Sequence, residues 1–329
     1  MNRILIVRMS ALGDIVHALP VLAAVREVYP SIEVDWLADQ AYAGVLDLVE
    51  GIANRIVVRP GYARAVQFMR GRKYDVAIDL QGLLKSATAS WLSGARRVIG
   101  FETSTLRERG AAWFYSETAR ASGTTHVIEK NRSVLPLVGV RPGPVKFPFR
   151  VPASVVAARL AALAPDGYVL LNPGAAWPNK RWDPTRFGAV AARIRDRYAL
   201  PSFVLWGRGE SALADRVVAA SQGAAVRAPE TTLGDLLAAA KGAALMLSGD
   251  TGPVHLAAAL GTPIVGLYGP TWPERNGPWD AADEVVSRAT TCVCHHKREC
   301  QTGRMCINDI AVDEVFAAVE RRLAKAGRS

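Results

Sequence analysis

Residues 3–20 read RILIVRMSALGDIVHALP, and Ile4, Leu5, Ile6 and Val7 within them are apolar without alternation. An unbroken apolar run of that length is expected of a parallel strand covered on both faces. The stretch from Ser10 to Pro20 follows this run, where a strand end meets a helix start. That is the strand, loop and helix passage of a doubly wound sheet, in which the loop faces a ligand. Residues 76–78 repeat the continuous apolar character, and runs at 32–37, 55–58, 75–80 and 97–101 alternate with helical segments. The first half therefore reads as a doubly wound α/β domain with strands at these positions and at 4–7.

Residues 140–152, VRPGPVKFPFRVP, concentrate Pro and Gly between periodic stretches and mark a crossing between domains. The boundary is placed there, giving domains 1–150 and 151–329, as a chain of 329 residues warrants. After a helix at 154–163, a second series has strands at 168–171, 202–205, 225–227, 244–247, 264–267 and 284–287. A terminal helix at 312–324 carries Val315, Val319 and Leu323 on one side, with Glu320, Arg321 and Arg322 away from it. It is a candidate to pack back on the N-terminal domain. Two α/β/α domains facing a central cleft suit a dinucleotide enzyme or a GT-B type glycosyltransferase, so the site residues must decide.

Forty Lys and Arg against thirty Asp and Glu give a net charge of +10, which attracts anions such as nucleotides, acidic glycolipids or an anionic membrane face. The cations are scattered, with no dense basic stripe or aromatic-basic motif, so no nucleic-acid partner is expected. Arg8 interrupts the N-terminal apolar run well short of a signal-peptide core, and no stretch approaches the roughly 20 apolar residues that span a bilayer. All four cysteines lie between Cys292 and Cys306, which is no secreted disulfide scaffold. The cytoplasm is the expected location.

Three loops carry candidate chemistry. In the first, Gly13 permits close approach of a sugar, and Asp14 can serve as a general base or simply cap the following helix. The second, Asn172 to Trp182, opens the second domain: Gly174 and Ala175 leave backbone amides accessible, and Lys180 can set a positive charge on a diphosphate. A solvated Lys180–Arg181 pair beside surface tryptophans is the alternative. The third, Ser248 to Pro263, is the most specific: Gly249 and Gly252 bracket Asp250 and Thr251 at a strand end, where amides, hydroxyl and helix dipole converge. Asp250 repels phosphate and suits sugar or ribose hydroxyls, while His255 can bond the pyrophosphate or sugar, or be a satisfied buried histidine. Glu210, after Trp206-Gly207-Arg208-Gly209, is a ribose acceptor or a helix-capping acid, and Tyr268-Gly269-Pro270-Thr271 is a simple turn or a further lining of the same cleft. No G-x-G-x-x-G follows the first strand and no P-loop occurs, which weakens dehydrogenase and kinase readings.

Along almost its whole length the chain resembles the ADP-heptose:lipopolysaccharide heptosyltransferases of glycosyltransferase family 9. The resemblance rests on RILIVRMSALGDIVHALPVL, on YDVAIDLQGLLKSA, on LRERGAAWFY with His126, Glu129 and Arg132 after it, on NPGAAWPNKRW and on SGDTGPVHLAAALGTPIVGLYGPT. It implies a GT-B fold and inverting, metal-independent transfer of heptose from ADP-heptose to the Kdo-containing inner core of lipopolysaccharide. Asp14 then resembles the base and Lys180 the diphosphate-binding lysine. Asp250, Thr251, Gly252 and His255 resemble the donor loop, Glu210 the ribose contact, and the backbone near Thr231 would lie by the adenine. Gly13, Gln81, Lys85 and Arg107 fall on the acceptor side, where Kdo carboxylates or phosphates need cations. The acceptor is Kdo-lipid A or heptosyl-Kdo-lipid A, with peripheral contact at the inner membrane; no cofactor and no metal ion are implied. One departure is that Ala175 and Ala176 stand where some family members carry adjacent threonines, so amides alone must serve there.

Cys292, Cys294, Cys300 and Cys306, with His295 and His296, could supply tetrahedral zinc ligands, but their spacing fits no standard zinc motif. Three readings compete with transfer from ADP-heptose: a GT-B transferase using another nucleotide sugar, a sugar-nucleotide epimerase or hydrolase on the same architecture, and a nucleotide-binding module without catalysis. A base such as Asp14 together with Lys180 speaks against the last.

Overall fold

The computed structural model describes residues 1–58, 62–121, 125–295, 297–300 and 302–328. The chain divides into two compact units, Met1–Arg150 and Val151–Ser329, at the boundary read from the Pro- and Gly-rich crossing.

The first unit is a six-stranded parallel sheet: β1 (Arg3–Val7), β2 (Glu33–Asp39), β3 (Asn54–Val58), β4 (Val76–Asp79), β5 (Arg97–Phe101) and β6 (Glu117–Ala119), in the order β3-β2-β1-β4-β5-β6. The second repeats it with β7 (Val169–Asn172), β8 (Ser202–Val204), β9 (Ala225–Arg227), β10 (Leu245–Gly249), β11 (Ile264–Tyr268) and β12 (Glu284–Ser287), ordered β12-β11-β10-β7-β8-β9. In each sheet the strand order reverses beside the first strand. The loops leaving β1 and β4 therefore flank one crevice, and those leaving β7 and β10 flank another.

The continuous apolar runs are explained by burial: Ile4, Leu5, Ile6 and Val7 are fully enclosed, as are Leu245, Met246 and Leu247. Each such side chain contributes about 1.5–3 kcal/mol by leaving water. Every strand but β6 overlaps a stretch expected from the sequence. β6 is a three-residue edge strand, Glu-Thr-Ala, attached to β5 by parallel main-chain pairing.

In the second unit, Trp182 is buried edge-on against Phe187 at 5.1 Å and donates its indole N–H to the Ile310 carbonyl at 3.0 Å. The last helix, Val312–Lys325, packs on β11, β12 and the helix Pro184–Tyr198, all of its own unit. Val315, Ala318, Val319 and Leu323 are enclosed there. Arg322, read from the sequence as facing away, is instead only 6% exposed, because Asp283 beneath the helix takes its guanidinium at 2.7 Å.

Candidate active site

In the first unit the crevice is built by Arg8, Asp14, Asp79 and Gln81. Arg8 lies just past β1 with 7% exposure; its Nη2 is 2.7 Å from Asp14 Oδ1, and its Nη1 donates to the Leu80 carbonyl just past β4. Asp14 sits in the first turn of the helix Leu12–Val28, and its Oδ2 accepts from the Ala11 amide at 3.1 Å. It therefore caps the helix as well as meeting Arg8, and its side chain keeps 36% exposure. Gly13 beside it is buried.

Gln81 follows β4 and accepts from the Met9 amide at 2.8 Å, tying the two loops together. Asp79 anchors that turn from below: it accepts from the amides of Gln81 and Gly82 at 2.8 and 3.1 Å, from Ser86 at 2.9 Å and from Tyr115 at 2.7 Å. Burial pushes its carboxyl up in spite of these bonds, and burial together with Asp79 pushes the Tyr115 phenol up. Lys85 and Arg107 are exposed, and no hydrogen bond or ion pair found among the described residues ties either to Asp14. The structure thus brings Asp14 and Gln81 to one crevice and leaves Lys85 and Arg107 on the surface.

In the second unit the loops of β7 and β10 meet at Asp250, which is 4% exposed. Its Oδ2 holds Lys180 Nζ at 2.5 Å; its Oδ1 lies 3.1 Å from His255 Nε2 and accepts from Asn276 Nδ2 at 2.8 Å. Burial alone would push the Asp250 carboxyl up. The hydrogen bond with His255 and the Lys180 charge outweigh it and hold the group well below the usual carboxylate range. Lys180 keeps 17% side-chain exposure and lies 4.9 Å from the Trp177 ring, so part of its charge faces outward.

Thr251 caps the helix Gly252–Ala259 by position, and His255 lies one turn into it. Asn172, at the end of β7, donates to Ser248 and Thr251 at 2.9 Å each and so fixes the two loops side by side. Gly249 is required by close approach: a Cβ there would stand 2.8 Å from the Lys180 carbonyl oxygen. At Gly174 the neighbour is the movable end of a side chain instead: a Cβ there would stand 2.3 Å from the Glu210 carboxylate. Glu210 accepts from the Gly207 amide at 3.0 Å and faces Arg181 at 3.8 Å. Ala175 is buried, with its carbonyl accepting from Arg181 at 2.8 Å. Thr231 is half-buried ahead of the Thr232 cap of helix Leu233–Gly242.

Asn276, Asn172 and Arg8 were not singled out from the sequence. Asn276 follows the turn after β11 and becomes visible only when the loop folds toward Asp250.

The cysteines gather in one loop region, with Cys294 Sγ 3.1 Å from Cys300 Sγ and the Cys294 amide 3.4 Å from Cys292 Sγ. Among the described residues no group of three or more His, Cys, Asp or Glu is arranged to hold a metal ion; His296 lies outside them. His295 stacks on Trp272 at 4.9 Å instead.

Two Rossmann-like units of parallel strands, each with its polar loops at the strand-order reversal, form the α/β architecture of the GT-B glycosyltransferases. The chain belongs to glycosyltransferase family 9 (heptosyltransferase), whose model matches residues 62–305. It is 29% identical over 322 residues to lipopolysaccharide heptosyltransferase 1 of Pseudomonas aeruginosa PAO1, covering 91% of this chain and 87% of that protein. Its fold is similar to E. coli heptosyltransferase WaaC with ADP-2-deoxy-2-fluoro heptose (TM-score 0.77, 22% identity, 97% of this chain and 99% of that one). It is similar also to E. coli ADP-heptose lps heptosyltransferase II (TM-score 0.78, 18% identity, 99% and 100%). Family membership makes the protein a glycosyltransferase and sets aside the epimerase, hydrolase and binding-module readings.

Proposed function

We propose that the protein transfers heptose from ADP-heptose to the Kdo-containing inner core of lipopolysaccharide, with inversion and without a metal ion, at the cytoplasmic face of the inner membrane. The observation that carries the donor half is the Lys180–Asp250–His255 cluster at the start of helix Gly252–Ala259. The similarity to lipopolysaccharide heptosyltransferase 1 and to a heptosyltransferase bound to an ADP-heptose analogue supports the choice of donor and acceptor.

Breaking the bond between the anomeric carbon and the diphosphate leaves positive charge on the sugar and sends the electron pair to ADP. Lys180 and the helix amides meet that growing negative charge, the task a magnesium ion performs elsewhere. Glu210 takes the ribose hydroxyls, the backbone near Thr231 the adenine, and the amides beside Gly174 and Ala175 the phosphates. Thr251, Gly252 and His255 complete the donor loop; Asp250 acts through Lys180 and His255, since both of its oxygens are already engaged.

On the first unit, Asp14 removes the proton of the acceptor hydroxyl, which attacks the anomeric carbon from the face opposite the diphosphate and so inverts it. Arg8 orients Asp14; Gly13 and Gln81 shape the acceptor's seat, and Lys85 and Arg107 meet its carboxylates or phosphates. The acceptor is Kdo-lipid A or its heptosylated form.

The test is Asp14→Asn, with transfer to Kdo-lipid A and calorimetric ADP titration in EDTA measured side by side. Transfer should fall by roughly a thousandfold or more with ADP affinity unchanged, because the shape stays and the base goes. Transfer within a few fold of wild type would remove Asp14 from the chemistry, and a wild-type preference for UDP over ADP would overturn the donor.

A further inference from the structure

Trp113 is 90% exposed and Trp91 57%, an unusual display for the largest apolar side chains. They belong to one surface. Trp91 is the penultimate residue of the helix Leu84–Leu92, Trp113 lies in the turn Arg109–Phe114, and the Trp91 and Phe114 rings meet edge-on at 6.2 Å. At the other end of that helix Leu84, 45% exposed, accepts contact from the same turn: a Cβ on Gly110 would sit 3.2 Å from its methyl. Leu84 and Trp91 are seven residues apart and so share a helix face.

The charge beside these side chains is one-sided. Lys85 and Arg109 are exposed within the same two segments and Arg107 just ahead of the second, and Glu108, between the two arginines, is turned to the Leu84 amide at 2.7 Å. Tryptophans flanked by cations are the composition of a surface that enters the headgroup layer of an anionic bilayer. Among the described residues no helix is long and apolar enough to cross a membrane, so contact of this kind has to be made by side chains at the surface.

We propose that the face formed by Leu84, Trp91 and Trp113, ringed by Lys85, Arg107 and Arg109, docks the protein on an anionic lipid surface, Trp113 entering deepest. This rests on the reading that the acceptor is lipid-linked, and it adds which face meets the lipid: the segments that carry or adjoin the acceptor-side cations Lys85 and Arg107 also carry the anchors.

The experiment is flotation of the full chain, without substrates, on vesicles of phosphatidylethanolamine and phosphatidylglycerol at about three to one, against vesicles of phosphatidylcholine alone. Wild type should bind the anionic vesicles and lose that binding with added salt. Trp113→Ser should weaken it by roughly tenfold or more, and Arg109→Glu by at least roughly fivefold. Both side chains are exposed, so neither change burdens the fold. Transfer to a soluble, delipidated Kdo acceptor should be unchanged in Trp113→Ser; loss of that activity in wild type would instead count against the proposed reaction. Equal flotation of Trp113→Ser and wild type, or equal binding to both vesicle types, would overturn the docking face. So would self-association in sedimentation that Trp113→Ser abolishes while vesicles stay unbound, which would identify a second copy as the occupant.

Discussion

Lys180 and Asp250 can be taken apart singly and together. The pair is 2.5 Å long with side chains 17% and 4% exposed, so it lies in the regime where removing one partner strands a charge. Lys180→Met should cost about 3 kcal/mol, because it strips the ammonium from a buried negative charge and leaves Asp250 to His255 and Asn276. Asp250→Asn should cost a similar ~3 kcal/mol by leaving the ammonium facing an amide. The double variant removes both charges and should cost little more than either single one, a coupling of about 2–3 kcal/mol. In scanning calorimetry of the full chain, each single change should lower the transition of the second unit by roughly 6–12 °C. The pH dependence has a definite sign. The Asp250 carboxyl is held below its unfolded value, so its contribution is complete above about pH 5 and is lost as acid carries the solution down toward the folded value. The gap between wild type and Asp250→Asn should stay constant from neutrality to about pH 5 and narrow only below that. Single variants that melt within 3 °C of wild type, or a double variant whose loss is the sum of the two, would refute the reasoning.

Gly249→Ala should displace the Lys180 main chain, since the new methyl meets a carbonyl oxygen at 2.8 Å; about 1–3 kcal/mol of stability and roughly tenfold in ADP affinity should go together, and unchanged melting and titration would show that the loop yields freely. Iodoacetamide at about pH 8 should alkylate Cys300 well before Cys306, as mapped by peptide mass spectrometry. Hydrogen bonds with Thr302 and Cys294 lower the Cys300 thiol, whereas burial and the Cys292 thiol push Cys306 up to about 12. Labelling in the opposite order would contradict those surroundings.

The parallel strands were legible because each is covered on both faces and spells its burial as a continuous apolar run, as Ile4–Val7 and Leu245–Leu247 do. β6 was not legible, because Glu117-Thr118-Ala119 is attached by its backbone and carries no apolar pattern to read. The same division runs through the site. Lys180, Asp250 and His255 stood out because they leave strand ends in Gly-rich loops. Asn276 and Asn172 did not, since an asparagine that completes a hydrogen-bond network has no periodicity and acquires its meaning only from the groups folding brings to it. Asp14 was read as either base or cap, and the structure gives it the cap geometry together with a guanidinium partner that no spacing rule announces.

Two of the four strands at the margins of the sheets, β6 and β9, are only three residues long, and a third, β12, lies under the terminal helix, whose Arg321 and Lys325 reach across to Glu284. Brevity and cover leave few unpaired amides and carbonyls in line, so these margins give another chain little template on which to add a strand. A concentrated solution of this protein should therefore resist the ordered, fibre-forming kind of aggregation, and any stickiness it shows should be of the reversible, detergent-sensitive kind that follows from tryptophans at the surface.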